Sequence, residues 1–289
     1  MIKERTKGYF YLLPAIIILL LLVIFPLIYA LRVSFSKWDN FTQGVSKFVG
    51  FKNYYSLLFK DKRFINSFKN SLMLWASAGF LEIMLGFFIA NLLNREFFLH
   101  RVVKSIVLLP MLVLPVGAGH MWQLIFNPLF GPLNYIMGLL KLPTVDWLGS
   151  TKFALVSIII TDLWQWTPFC YLIMYAGMQG LPLEIYDAVK VDGANGWQTI
   201  WKITVPLLKK VFLVAVLFRS IDLFRMFDQI YVLTSGGPGW ATETMPFYTY
   251  ILGFKRFDMD KAAALSFILL LLVTLISMFF VARFGEKEK

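Results

Sequence analysis

The chain has 289 residues, 58% of them apolar and 17% aromatic, with a mean hydropathy of +0.69. Ordinary globular chains are nearer half apolar, so a soluble domain is excluded and a helical membrane domain spanning the whole chain is expected. The net charge of +11 does not point to nucleic acid, because no basic stripe is interleaved with stacking aromatics.

Six stretches reach the roughly 20 apolar residues that a helix needs to cross the hydrocarbon. They are residues 9–31, 71–93, 102–126, 153–174, 211–232 and 262–281. These runs are long and lack the alternation of barrel strands, so the fold class predicted is all-α and polytopic. The first run follows Lys3, Arg5 and Lys7 like a signal peptide, but it is too long for one and Leu31-Arg32-Val33 replaces a small-residue cleavage site; a retained helix is expected. With the amino terminus inside, inner and outer segments carry equal numbers of Lys and Arg. The inner segments are shorter and therefore denser in positive charge, which favours that orientation.

Between the second and fifth runs the chemistry-bearing residues are few. Cys170 is alone and His100 and His120 are the only histidines, so neither a disulfide nor a zinc cluster is expected. No Gly-x4-Gly-Lys-Ser/Thr sequence occurs, so this chain has no P-loop for ATP. Glu82, Asp162, Arg219 and Asp222 fall near the middle of apolar runs. Each costs about 2.5–3.5 kcal/mol at a helix centre on insertion scales, so each should face protein, a partner or water. Arg219, Asp222, Arg225 and Asp228 recur every three residues, which on a helix sets opposite charges on adjacent turns. The two arginines against Glu82, Asp162, Asp222 and Asp228 leave two acids in excess. Trp164, Gln165 and Trp166 accompany Asp162. Flat aromatic faces beside amide and carboxylate groups suit a sugar ring, whereas interhelical hydrogen bonding is the plainer role for the same residues.

After the fourth run comes a polar stretch, residues 181–206. Pro182 and Glu184 suit a helix start, Gly193 and Gly196 break the pattern, and Trp197, Ile200, Trp201 and Thr204 resume helical spacing until Pro206. The expectation is helix, tight turn, helix at the membrane interface. Small residues at Ala188, Gly193 and Ala194 would let a partner surface approach, and Glu184, Asp187 and Asp192 offer carboxylates to basic groups. An amphipathic hairpin resting on lipid is the alternative.

Asp187-Ala188-Val189, Gly193, Ile203 and Val205-Pro206 fall at the spacings of the ATPase-docking loop of ABC importer permeases: Glu-Ala-Ala, three residues, Gly, nine residues, Ile, one residue, Leu-Pro. The departures are Asp187 for Glu, Val189 for Ala and Val205 for Leu. Further stretches resemble the carbohydrate importers' inner-membrane permeases of the maltose and glycerol-phosphate type, nearly end to end: Phe48-Val-Gly-Phe-Lys-Asn-Tyr54, Asp146-Trp-Leu-Gly149, Asp162-Leu-Trp-Gln-Trp-Thr-Pro168, Arg219-Ser-Ile-Asp222 and Gly236-Gly-Pro-Gly239. The resemblance implies a type I ABC importer permease fold in the bacterial or archaeal cell membrane, with no enzymatic activity and no cofactor in this chain. ATP and Mg would be bound by two cytoplasmic ABC ATPase subunits docking on Glu184, Asp187, Ala188, Gly193, Ala194, Ile203 and Pro206. It further implies a second homologous permease, an extracellular or periplasmic solute-binding protein and a sugar substrate. Glu82, Asp162, Trp164, Gln165, Trp166, Arg219, Asp222, Arg225 and Asp228 are the candidates for the substrate pathway. A secondary transporter driven by the buried charges is the rival from another class, and it lacks obvious inverted halves.

Overall fold

The computed structural model describes residues 2–42, 44–95 and 97–285, with side chains at all of these except 2–10, 183, 284 and 285. Apart from one two-stranded hairpin the described residues are helical and irregular. Two compact units are present, Met1–Phe64 with Tyr248–Leu271 and Ile65–Phe247 with Leu272–Lys289.

In the first unit, α1 (Ile2–Leu19) and α2 (Phe25–Ser34) are joined by a π turn at Leu20–Ile24. Pro26 cannot donate the bond a helix needs at that position, and the wider turn before it accommodates the loss. The large apolar side chains of this helix face outward, as lipid requires. Strands β1 (Ser36–Asp39) and β2 (Gly44–Phe48) then pair antiparallel, with an irregularity between Lys37 and Trp38. Buried Asn53, on α3 (Lys52–Lys60), donates to the carbonyls of Ser34 and Ser36 at 2.9 and 2.8 Å and holds the hairpin to the helix end. The Tyr248 hydroxyl donates to Asp61 at 2.6 Å; burial and that carboxylate push its phenol above the usual range, so it remains a donor. Phe48 and Phe51, at the hairpin end and before α3, are exposed.

The chain continues through α4 (Lys62–Leu93), α5 (His100–Leu108), a 3-10 turn at Leu109–Leu112, α6 (Pro115–Ile125), α7 (Pro132–Leu139) and α8 (Ala154–Gln179). Then follow α9 (Leu183–Val191), α10 (Gly196–Thr199), a π turn at Ile200–Thr204, α11 (Val205–Leu207), α12 (Lys209–Phe224), α13 (Asp228–Leu233), α14 (Met245–Tyr250) and α15 (Met259–Gly285). The core of the second unit is built by α4, α8 and α12 around Phe87, Ala90, Tyr171, Met174 and Ala215.

Two of the six runs are not single helices. The run at 102–126 is bent by 98° between His100–Leu112 and Pro115–Ile125. Pro115 has no N–H and confines Leu114 to extended backbone (φ −60°, ψ 140°), so the helix must stop and restart there. The run at 211–232 ends its helix at Phe224, and Arg225, Met226 and Phe227 separate α12 from α13. Bonds of the i to i+3 kind tighten this last turn, from Arg225 to Asp222 and Met226 to Leu223, and the Thr244 hydroxyl donates to the freed Met226 carbonyl at 3.2 Å. Judged by length and apolarity alone, three helices among the described residues can cross a membrane, or four with the bent pair taken as one span. The middle of α8 is polar and α12 has only 16 residues, so both depend on neighbours for their polar groups.

Gly86 fixes how closely α4 meets α8. A Cβ there would lie 2.6 Å from the Cys170 Cβ and 2.7 Å from the Tyr171 nitrogen, so backbone would have to move. Gly86→Ala is expected to cost about 1–3 kcal/mol of stability, against little for Gly138→Ala, where a Cβ meets nothing within 4 Å. Thermal unfolding of the purified permease checks the contrast, and equal melting temperatures would refute it.

Candidate functional site

Three helices bring their charges together at Arg219, which is 1% exposed. Its Nε donates to Glu82 Oε2 on α4 at 2.5 Å and its Nη2 to Glu82 Oε1 at 3.0 Å, a two-point grip that uses the guanidinium's planar fork. The same Nη2 donates to Asp162 Oδ2 on α8 at 2.8 Å. Nη1 lies 3.5 Å from Asp222 Oδ2, one turn along α12, and the guanidinium carbon stands 5.3 Å from the ring centre of Trp166. Glu82 and Asp162 are also buried, whereas the Asp222 side chain is 47% exposed. The acid excess read from the sequence thus resolves into two carboxylates shared by one arginine, with a third facing outward.

Beside this cluster is a cavity of about 300 Å³ lined by Pro115, Asp162, Trp166, Arg219, Asp222, Arg225, Met226, Phe227, Asp228 and Gln229. Six of the sequence candidates therefore share one wall. Three do not. Glu82 lies behind Arg219; Trp164 packs edge-on against Trp122 with ring centres 5.9 Å apart; and Gln165 is fully buried, donating from Nε2 to the Val113 carbonyl at 2.7 Å. Because Arg225 and Asp228 flank the break after α12, the charges at 219–228 do not form one continuous helical stripe, which corrects the sequence expectation. They meet around the cavity instead.

Sequence reasoning missed Gln229. It is 2% exposed on α13 and donates from Nε2 to Gln165 Oε1 at 2.6 Å. The signal was an amide within an otherwise apolar stretch, Ile230 to Leu233, one residue past the charges. Buried side-chain atoms without a hydrogen-bond partner include Asp162 Oδ1 and Gln229 Oε1, both on residues that line the cavity.

On the polar loop, α9 ends at Val191 with Asp192 as its cap, Gly193 takes a left-handed turn (φ 72°), and Asn195 caps α10 in a reciprocal arrangement with Gln198. Gly196 is the first residue of the second helix, not part of the break. Glu184, Asp187, Ala188, Gly193 and Pro206 are exposed, Ala194 and Ile203 half-buried. Asp187 pairs with Lys190 at 2.9 Å on the open face. Val191 is 87% exposed and Trp197 65%, so this stretch presents apolar surface as well as carboxylates.

Residues 82–287 match the family described as binding-protein-dependent transport system inner membrane component. Among curated relatives, the probable ABC transporter permease protein y4oQ of Sinorhizobium fredii is 38% identical over 266 residues, covering 92% of this chain and 85% of that one. The trehalose/maltose transport system permease protein MalF of Thermococcus litoralis is 34% identical over 280 residues, covering 95% and 93%. The fold is that of a chain in the crystal structure of a bacterial ABC transporter involved in the import of the acidic polysaccharide alginate, with a TM-score of 0.86 at 23% identity, covering 100% and 98%. The fold class is therefore all-α, of the type I importer permeases. With most of its length matched, and with relatives above 30% identity along nearly all of it, this chain belongs to the inner-membrane components of binding-protein-dependent ABC transport systems, which carry solute and are not enzymes.

Proposed function

We propose that this permease forms half of the translocation pathway of an ATP-driven importer for a sugar or oligosaccharide. The observation that carries the solute class is the cavity at 162–229, where the Trp166 ring stands beside carboxylates, guanidinium groups and an amide. An aromatic face packs against the C–H side of a sugar ring while the polar groups exchange hydrogen bonds with its hydroxyls. The name of the Thermococcus litoralis relative supports the same class. A second, homologous permease supplies the other half. Two cytoplasmic ATPases, which hold the ATP and Mg, engage the loop at 181–206 through Glu184, Asp187, Ala188, Gly193, Ala194, Ile203 and Pro206. An external binding protein delivers the solute.

The test is ATP hydrolysis by the complete complex in proteoliposomes, with its binding protein and a panel of trehalose, maltose, longer glucans, a phosphorylated polyol and methionine. Stimulation by one or more saccharides is the expected result. Stimulation by the phosphorylated polyol or the amino acid alone would sink the sugar assignment.

A further inference from the structure

The buried amides beside the cavity form a chain with only one possible polarity. The Val113 carbonyl, freed where the third run breaks, can only accept. Gln165 must therefore turn its Nε2 towards it, which it does at 2.7 Å. That leaves Gln165 Oε1 facing α13, where it accepts from Gln229 Nε2 at 2.6 Å. Neither amide can flip without setting donor against donor or acceptor against acceptor. The group left over on Gln229, a residue of the cavity wall, is consequently an acceptor, Oε1, buried and without a hydrogen-bond partner. Asp162 Oδ1, on another residue of the same wall, is in the same condition. Buried acceptors without donors are uncommon in folded proteins and each calls for a cause.

We propose that Gln229 is a specificity-determining residue whose Oε1 accepts a hydrogen bond from a solute hydroxyl, selecting for a hydroxyl at one ring position. The inference rests on the saccharide reading above and deepens it. Because the acceptor is held by Gln165, and Gln165 by the bend at Val113, solute bound to Gln229 is tied to the geometry of the break between α5 and α6. A site built to bond a hydroxyl discriminates strongly against a solute lacking it, since the acceptor is then left unpaired.

Uptake of trehalose, maltose and their monodeoxy analogues by the complete complex in proteoliposomes tests this, with wild type compared with Gln229→Met and Gln229→Asn. For one deoxy position the wild-type complex should lose roughly tenfold more uptake than Gln229→Met does, while penalties at the other positions, including those set by the binding protein, persist in both. Gln229→Asn keeps an acceptor and should keep part of the selective penalty; it stands in if the methionine variant fails to assemble. Uptake by wild type with the same deoxy profile in both variants overturns the proposal and leaves the sugar assignment intact. No uptake of any saccharide by wild type overturns both.

Discussion

Replacing Arg219 by Met should destabilise the permease by more than about 3 kcal/mol, far beyond the effect of neutralising either of its acid partners. Arg219 is bonded to Glu82 and Asp162, and all three are at most 1% exposed. Removing the arginine strands two buried carboxylates, and breaking a buried pair from one side costs about 3–5 kcal/mol. Asp162→Asn leaves Arg219 still held at two points by Glu82, and Glu82→Gln leaves it with Asp162, so each single neutral variant should lose only about 1–2 kcal/mol. The triple variant Glu82→Gln, Asp162→Asn, Arg219→Met should recover most of the loss, because no unmatched fully buried charge remains and Asp222 is half-exposed. Thermal unfolding and the yield of folded permease would decide the matter. Equal loss in Arg219→Met and Asp162→Asn would mean that the charges do not act as a unit.

Gly193→Val should abolish coupling with the fold intact. At φ 72° a β-branched residue is strained by about 1–2 kcal/mol, yet a Cβ there meets nothing within 4 Å, so the cost falls on the turn and not on packing. The turn sets the angle between α9 and α10 and with it the surface proposed for the ATPases. ATPase co-purification and ATP-driven uptake should each fall at least tenfold. Gly193→Asn should be milder, since Asn tolerates the left-handed region. Gly196→Ala should behave as wild type, because that position is ordinary helix with open space around it. Uptake that survives Gly193→Val would separate the turn from the motor contact.

Features that depend on near neighbours in sequence were legible before the fold was known. A helix begun near Pro182 and a stop at Gly193 are local chemistry, and the structure has α9 at Leu183–Val191 with the left-handed turn after it. The all-α membrane class followed from apolar runs that only helices can satisfy. The bend in the third run was hidden because Val113 and Leu114 are as apolar as the residues around them; Pro110 and Pro115 were its marks. The charges at 219–228 misled in the opposite way, since a regular spacing of three suggested one helix where the chain breaks after Phe224. The grip of Arg219 on Glu82 was out of reach, because its partners are 137 positions apart and are joined only by packing. The Gln165–Gln229 pair was missed for the same reason, with a separation of 64.

The order in which the triad is synthesised bears on how the permease is made. Glu82 and then Asp162 enter the bilayer ahead of Arg219, the cation that bonds both, and each is a poor passenger in hydrocarbon on its own. A nascent chain that stops before residue 219 therefore holds two acids without the arginine that pairs with both. Entry of α12 supplies the matching charge, so the three groups can be neutralised together only after most of the chain has been made.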